Sequence, residues 1–142
     1  MINKNRLIQL TQKVIQINSE NPPGNEYLLA QFVAGKLRSF GFQVKAYEFA
    51  KGRPNIIGVL KGRSAKDPLL LSPHLDTVPA GRGWRFNPFS GRAYKGRIYG
   101  RGATDCKGNL AVGLEVMHSL TENRVKLKRD IIFAATVDEE TG

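Results

Sequence analysis

Cysteine and histidine are scarce in this sequence of 142 residues, which contains one cysteine and two histidines. The single cysteine, Cys106, excludes an internal disulfide framework and is compatible with a reducing cytoplasm. It also excludes a cysteine cluster for metal. Histidine and carboxylates without such a cluster suit zinc, cobalt or manganese.

Long apolar runs are also missing. No run approaches the roughly 20 residues that a membrane-spanning helix needs, and residues 1–6 lead into an amphipathic pattern rather than a signal-peptide core. We therefore expect a cytoplasmic protein with no membrane partner. Its length fits one domain with a buried core, and its hydrophobic content of 41% is ordinary for a globular protein.

Acidic residues are few: 12 Asp and Glu stand against 22 Lys and Arg, which gives a net charge of +10. Residues 82–107 carry much of the excess, with Asp105 as the single acid among them. Such a balance raises the question of nucleic acid, or of a carboxylate-bearing substrate. No zinc-finger spacing, recognition-helix pattern or RNA-binding aromatic signature accompanies the charge. We interpret these stretches as solvated loops and expect no nucleic-acid partner.

Apolar residues recur at helical spacing in three segments. They predict an amphipathic helix over about residues 4–18, a second helix that Asn25 caps and that ends near Gly41, and a third helix over about residues 109–122. Strands are predicted at 44–49, at 56–60, after Pro68, at 97–99 and from 130 or 131 to 137. The last is apolar on both faces, as in the middle of a parallel sheet. This alternation indicates an α/β fold.

Polar side chains follow several of these strands, where open α/β sheets carry their chemistry. His74 and Asp76 follow the strand after Pro68, and alternate side chains of an extended segment project to the same side. Asp76 is therefore placed to orient His74 as a metal ligand. Asp105, flanked by small residues, is a candidate to bridge two metals roughly 3.5–4 Å apart.

Glu139 and Glu140 follow the last predicted strand. Adjacent residues of extended backbone point to opposite sides, so one is expected to bind metal and the other to act as general base. Taken singly, each of these features also has an ordinary interpretation, as a solvated His/Asp pair, a helix N-cap and an acidic turn.

Together, four motifs resemble the successive motifs of the M20 metallopeptidase family, which includes deacylases and carboxypeptidases. They are residues 74–79, 84–89, 99–108 and 138–142, and residues 21–26 are similar to the family's first interhelical turn. The resemblance implies a zinc-exopeptidase-like catalytic domain, with three layers (helix–sheet–helix) and a mostly parallel mixed sheet.

The resemblance also implies a role for each residue. His74 would bind one metal, Glu140 the second, and Asp105 would bridge the two, commonly with a cis peptide to the next residue. Asp76 would orient His74, and Glu139 would be the general base. The implied cofactors are two divalent ions, zinc first, with cobalt or manganese as alternatives. The implied reaction is hydrolysis of the amide bond of an N-acyl amino acid or short peptide.

Departures from the family pattern matter as well. Cys106 stands where methionine is usual, and we interpret it as packing, with a metal contact as the alternative. His118 matches no family ligand and is interpreted as packed or at the surface.

The ligands His74, Asp105 and Glu140 alone cannot satisfy two ions of coordination number four or five. We therefore expect residues 1–142 to be the N-terminal portion of a catalytic domain that is incomplete at its C-terminus. The resemblance implies that the complete protein adds a further carboxylate, a late histidine and a lid or dimerisation domain, and that it forms a homodimer. The alternative is a non-enzymatic truncated fragment with at most weak metal binding.

Overall fold

The computed structural model describes residues 1–64 and 67–141. Within them the elements in chain order are α1 (Lys4–Gln16), α2 (Tyr27–Ser39), β1 (Gln43–Ala50), β2 (Arg53–Leu60), β3 (Leu69–Leu71), β4 (Arg92–Tyr94), β5 (Arg97–Tyr99), α3 (Lys107–Glu122) and β6 (Ile131–Ala135). None of the described helices is both long and apolar enough to cross a membrane.

The three predicted helices are confirmed, with shifted ends. The N-cap of α2 is Glu26 and not Asn25, and no side chain caps its first turn. The prediction of Asn25 was wrong because a tertiary contact fixes this helix start: Glu26 is fully buried and pairs with Arg53. Strand β4 carried no apolar alternation and was not predicted, and it pairs antiparallel with β5.

Four strands form one mixed sheet in the order β1–β2–β6–β3. The β1–β2 and β2–β6 pairs are antiparallel, and the β3–β6 pair is parallel. The expected α/β class with a mixed sheet is confirmed. Strand β6 lies between β2 and β3, and four of its five residues are buried. Among the described strands of this sheet, parallel pairing is limited to β3 and β6.

Helices α2 and α3 cover the same face of the sheet. Leu37 of α2 packs on Gly58, Gly113 of α3 faces the ring of Phe133, and Gly58 and Phe133 are cross-strand partners. Helix α1 packs on α3. The core members with no exposed surface include Val14, Leu29, Val33, Leu37, Leu75, Leu110, Leu114 and Phe133. The opposite face of the sheet carries the exposed side chains of Tyr47 and Leu70.

The parallel pairing of β3 with β6 brings the loops after both strands to one edge of the sheet. The pairing continues past the strands, because the N–H of Leu75 donates to the carbonyl of Thr136 at 2.7 Å. On its other side this loop meets the segment after α1, since the N–H of Thr77 donates to the carbonyl of Ser19 at 3.1 Å. Three chain segments therefore converge where the polar residues lie.

Candidate active site

His74 faces two of the predicted carboxylates. Its Nε2 lies 3.0 Å from Oδ1 of Asp105 and 3.9 Å from Oε2 of Glu139. Its Nδ1 lies 3.0 Å from the main-chain oxygen of Asp76 and 3.5 Å from Oδ1 of the same residue. A carbonyl oxygen only accepts, so Nδ1 carries the proton and Nε2 is the nitrogen presented to Asp105 and Glu139.

The carboxylate of Asp76 holds the glutamate pair more directly than it holds the imidazole. It is fully buried, and its Oδ1 and Oδ2 accept from the main-chain N–H groups of Glu139 and Glu140 at 3.2 and 3.0 Å. Burial raises the pKa of Asp76, but the hydrogen bonds from these N–H groups and from Asn21 outweigh it, so the pKa stays below its ordinary value. Asp76 is therefore an ionised anchor for the loop after β6.

Asp105 lies at the turn into α3, and its side chain is 76% exposed. Its peptide bond to Cys106 is cis. Cys106 is buried and its thiol donates to the carbonyl of His74 at 3.3 Å. His74, Asp105 and Cys106 bring one potential ligand atom each within 4.8 Å of one another. Cys106 is thus buried, as the packing interpretation expects, and its sulfur also lies beside the candidate ligands, which the alternative of a metal contact requires.

The imidazole of His74 is strongly stabilised in its protonated form. The hydrogen-bonding contact with Cys106 has the largest effect, Asp105 and Asp76 add to it, and burial opposes it, so that the pKa of His74 rises to about 10. The neighbours of this ring therefore create a place that favours positive charge. An imidazole nitrogen beside a carboxylate, in such a field, is a donor set that fits zinc, cobalt or manganese.

Glu139 and Glu140 take different directions. Glu139 is 61% exposed and lines a cleft of about 440 Å³ together with His74, Asp105 and Cys106. Glu140 turns to the loop after His74, where its Oε1 lies 3.4 Å from the N–H of Val78. The structure thus brings His74, Asp105 and Glu139 together in one cleft, of a size suited to a small ligand, and places Glu140 beside it.

Sequence reasoning missed the roles of two buried polar residues. Lys107 is fully buried, its Nζ donates to the carbonyl of Ile17 at 2.6 Å, and burial lowers its pKa to about 8. Asn21, for which the sequence indicated only a place in the interhelical turn of residues 21–26, is 3% exposed and contacts Asp76. A lysine or asparagine at such places gives no signal of burial in the sequence, since both residue types usually lie at the surface.

The sequence of the chain matches a protein family model and several characterised proteins. A model of peptidase family M20/M25/M40 matches residues 70–142. The chain is 32% identical to the N-formyl-4-amino-5-aminomethyl-2-methylpyrimidine deformylase of Bacillus subtilis, over 98% of this chain and 34% of that protein. It is 31% identical to the succinyl-diaminopimelate desuccinylase of Orientia tsutsugamushi, over 99% of this chain and 36% of that protein.

The fold agrees with this grouping. The structure of human carnosine dipeptidase 1 superposes with a TM-score of 0.87 at 25% identity, over 97% of this chain and 33% of that chain. The chain spans about a third of the length of the curated relatives described above. The family match begins at Leu70, in strand β3, and runs through His74, Asp105 and the glutamate pair. The chain belongs to peptidase family M20/M25/M40.

Proposed function

We propose that this chain carries the metal-binding part of a hydrolase that cleaves the amide bond of N-acyl amino acids or short peptides. The observation that carries the proposal is the approach of Nε2 of His74 to Asp105 at 3.0 Å and to Glu139 at 3.9 Å. The names of the relatives support it, because they describe a deformylase, a desuccinylase and a dipeptidase.

His74 and Asp105 would hold one divalent ion, and Asp105 and Glu140 a second, with zinc first and cobalt or manganese as alternatives. Such ions would polarise the scissile carbonyl and lower the pKa of water. Glu139 would accept a proton from the water whose oxygen bonds to the carbonyl carbon. When the C–N bond breaks, Glu139 would return that proton to the leaving amine. Asp76 would hold His74 and the glutamate pair in position.

The number of ligands limits what these residues achieve alone. His74, Asp105 and Glu140 leave two ions of coordination number four or five short of protein donors. We therefore infer that turnover needs ligands from outside these residues, on a longer polypeptide or on a second chain. This shortage favours the second candidate function, a metal-binding polypeptide without activity of its own.

A cobalt(II) titration followed by visible absorption tests the metal site. His74→Ala is expected to weaken cobalt binding at least tenfold, because it removes the only imidazole that lines the described cleft. The matched control is His118→Ala, since His118 stacks on Phe40 with ring centroids 4.5 Å apart and does not line this cleft. Identical titrations of the two variants and the wild type would contradict the proposed site.

Release of amine from N-acetyl amino acids, N-succinyl amino acids and dipeptides, measured on a longer polypeptide that contains these residues and supplies the missing ligands, tests the chemistry. Glu139→Gln is expected to lower the rate about 10²- to 10⁴-fold, because it removes the general base, while cobalt binding stays unchanged. A wild-type protein that binds cobalt and releases no amine would support the non-enzymatic alternative.

A further inference from the structure

The structure assigns a positioning role to Asn21 and Asp138: they fix the backbone of the glutamate pair so that Glu139 faces the cleft and Glu140 faces the loop after His74, and Arg53 anchors them to the body of the domain. This inference rests on the proposed function, because it concerns the same site. Neither Asn21, Asp138 nor Arg53 lines the described cleft. They act on it through Glu139 and Glu140.

The first step is the turn at Asp138. Asp138 has a φ of +69°, in the left-handed region that residues other than glycine enter only at an energetic cost. It directly precedes the two residues whose N–H groups both point to Asp76, at 3.2 and 3.0 Å. The conformation of Asp138 therefore sets the direction of the backbone that carries Glu139 and Glu140.

The second step is the bridge that Asn21 makes between two carboxylates. Its Nδ2 lies 2.9 Å from Oδ1 of Asp138, 3.1 Å from Oδ2 of Asp76 and 2.9 Å from Oγ1 of Thr141. The two hydrogens of an amide nitrogen join carboxylates that would otherwise repel each other. Asn21 is itself fixed, because its main-chain N–H donates to the carbonyl of Thr77 at 2.8 Å.

The third step is the anchor. Nη2 of Arg53 lies 2.7 Å from Oδ1 of Asp138 and 2.5 Å from Oε1 of Glu26. Nε of Arg53 lies 3.0 Å from Oε2 of Glu26. Glu26 is fully buried at the start of α2, and Arg53 begins β2. The bidentate ion pair of Arg53 with Glu26 therefore holds Asp138 against α2 and β2. The side chains of Arg53 and Asp138 are 16% and 20% exposed, and charged groups that are shielded to this extent need partners, which each of them has.

Amide hydrogen exchange measured by NMR on the metal-free protein tests this positioning role without reference to catalysis. Asn21→Asp removes both donated hydrogens and adds a third carboxylate between two others. We expect the amides of Glu139 and Glu140 to exchange at least tenfold faster, while the amide of Phe133 in the core is unchanged. Asn123→Asp, the same replacement at an exposed position beyond α3, is the control. Equal exchange in both variants would overturn the inference.

Two substitutions of Asp138 separate its side chain from its backbone conformation. Asp138→Asn keeps an acceptor oxygen and tolerates the left-handed region, so exchange at the glutamate amides should stay near that of the wild type. Asp138→Gly adopts the same φ freely but loses the contacts with Asn21 and Arg53, so exchange should rise at least tenfold. A glycine variant that exchanges like the wild type would overturn the inference even if Asn21→Asp does not fold.

A cobalt titration of Asn21→Asp tests whether the positioning role affects metal binding. Partners behind the ligands typically account for a 10- to 100-fold effect on metal affinity, and we expect a loss in that range. Faster exchange with unchanged cobalt affinity would overturn the functional part of the inference. A wild-type protein that binds no cobalt would refute the proposed function, and the exchange data would still decide on the positioning role.

Discussion

Glu115 is a carboxylate that the core accommodates because Arg6 neutralises it. It is 1% exposed, and Nε of Arg6 lies 2.6 Å from its Oε2. Burial raises the pKa of Glu115, but hydrogen bonds from Arg6, the N–H of Asn3 and the hydroxyl of Ser119 outweigh it and lower the pKa to about 2. The folded state therefore gains stability from ionised Glu115 above about pH 4.5, and loses it as the pH falls toward about 2.

We expect Glu115→Gln to lower the free energy of unfolding by about 2 kcal/mol at pH 7, because it removes charged hydrogen bonds inside the core. The loss should shrink as the pH falls from about 4.5 to about 2, where the wild-type advantage disappears. Urea unfolding at several pH values measures both effects. The control is Glu122→Gln, which removes the 50% exposed partner of Arg6 and should lower the free energy of unfolding much less, because solvent screens that pair. Equal losses would contradict the assignment.

At the scale of single residues, the sequence predicted the chemistry of the site better than its support. His74, Asp105 and Glu139 follow strands or a strand-to-helix turn, so that their meeting follows from the order of elements. The role of Asn21 was not predictable, because its partners Asp76 and Asp138 lie 55 and 117 positions away in the chain. A hydrogen bond of that kind exists only once the fold has formed.

Among the elements, α3 approaches β6 closely at Gly113. A Cβ at Gly113 would lie 2.8 Å from Cε2 of the buried Phe133 ring, whereas a Cβ at Gly35 of α2 would meet nothing within 4 Å. Alanine is favoured over glycine inside a helix by about 1 kcal/mol. Gly35→Ala should therefore raise the free energy of unfolding by about 0.5–1 kcal/mol.

Gly113→Ala should instead lower the free energy of unfolding by about 1 kcal/mol, because overpacking of the Phe133 ring costs more than the helix gains. Urea unfolding of the two variants side by side measures the difference. A gain of the same size at both positions would show that α3 and β6 are less closely packed than described.

The periodicity of apolar residues predicted the three helices, because each of them buries one apolar stripe. It did not predict their ends, which tertiary contacts decide, as the pairing of Glu26 with Arg53 does at the start of α2. Of the hairpin formed by β4 and β5, only β5 was predicted, for a similar reason. Its stability comes from Phe86, which meets Tyr94 and Tyr99 edge-on with ring centroids 5.6 and 5.3 Å away.

On the scale of the whole molecule, one face of the sheet is covered by helices and the other exposes apolar side chains. Tyr47 on β1 and Leu70 on β3 are 54% and 58% exposed on that face, at opposite edges of the sheet, and exposed apolar side chains favour association. Leu70→Lys, in strand β3, should reduce self-association in sedimentation experiments without loss of stability. Val125→Lys, at a 47% exposed position outside the strands, is the control and should change association little. The opposite ranking would exclude the sheet face as the source of association.

The topology of the sheet is the part that sequence patterns specify least. Apolar alternation marks a strand but does not name its neighbour, and the β3–β6 pairing joins Leu69 to Ile131 across the third helix. The resemblance to a known family supplied what periodicity lacked, namely the mixed sheet and the layering of helices on it. It also implied a mostly parallel sheet, whereas the described strands contribute a single parallel pair to it.

The raised pKa of His74 would tie metal uptake at the proposed site to acidity. With a pKa of about 10, the imidazole carries a proton at neutral pH, and a cation that binds Nε2 must displace it. One proton would then leave for each ion that His74 takes up, so that the apparent affinity would fall as the pH falls. The proposed site would thereby respond to the ratio of metal to protons rather than to either alone.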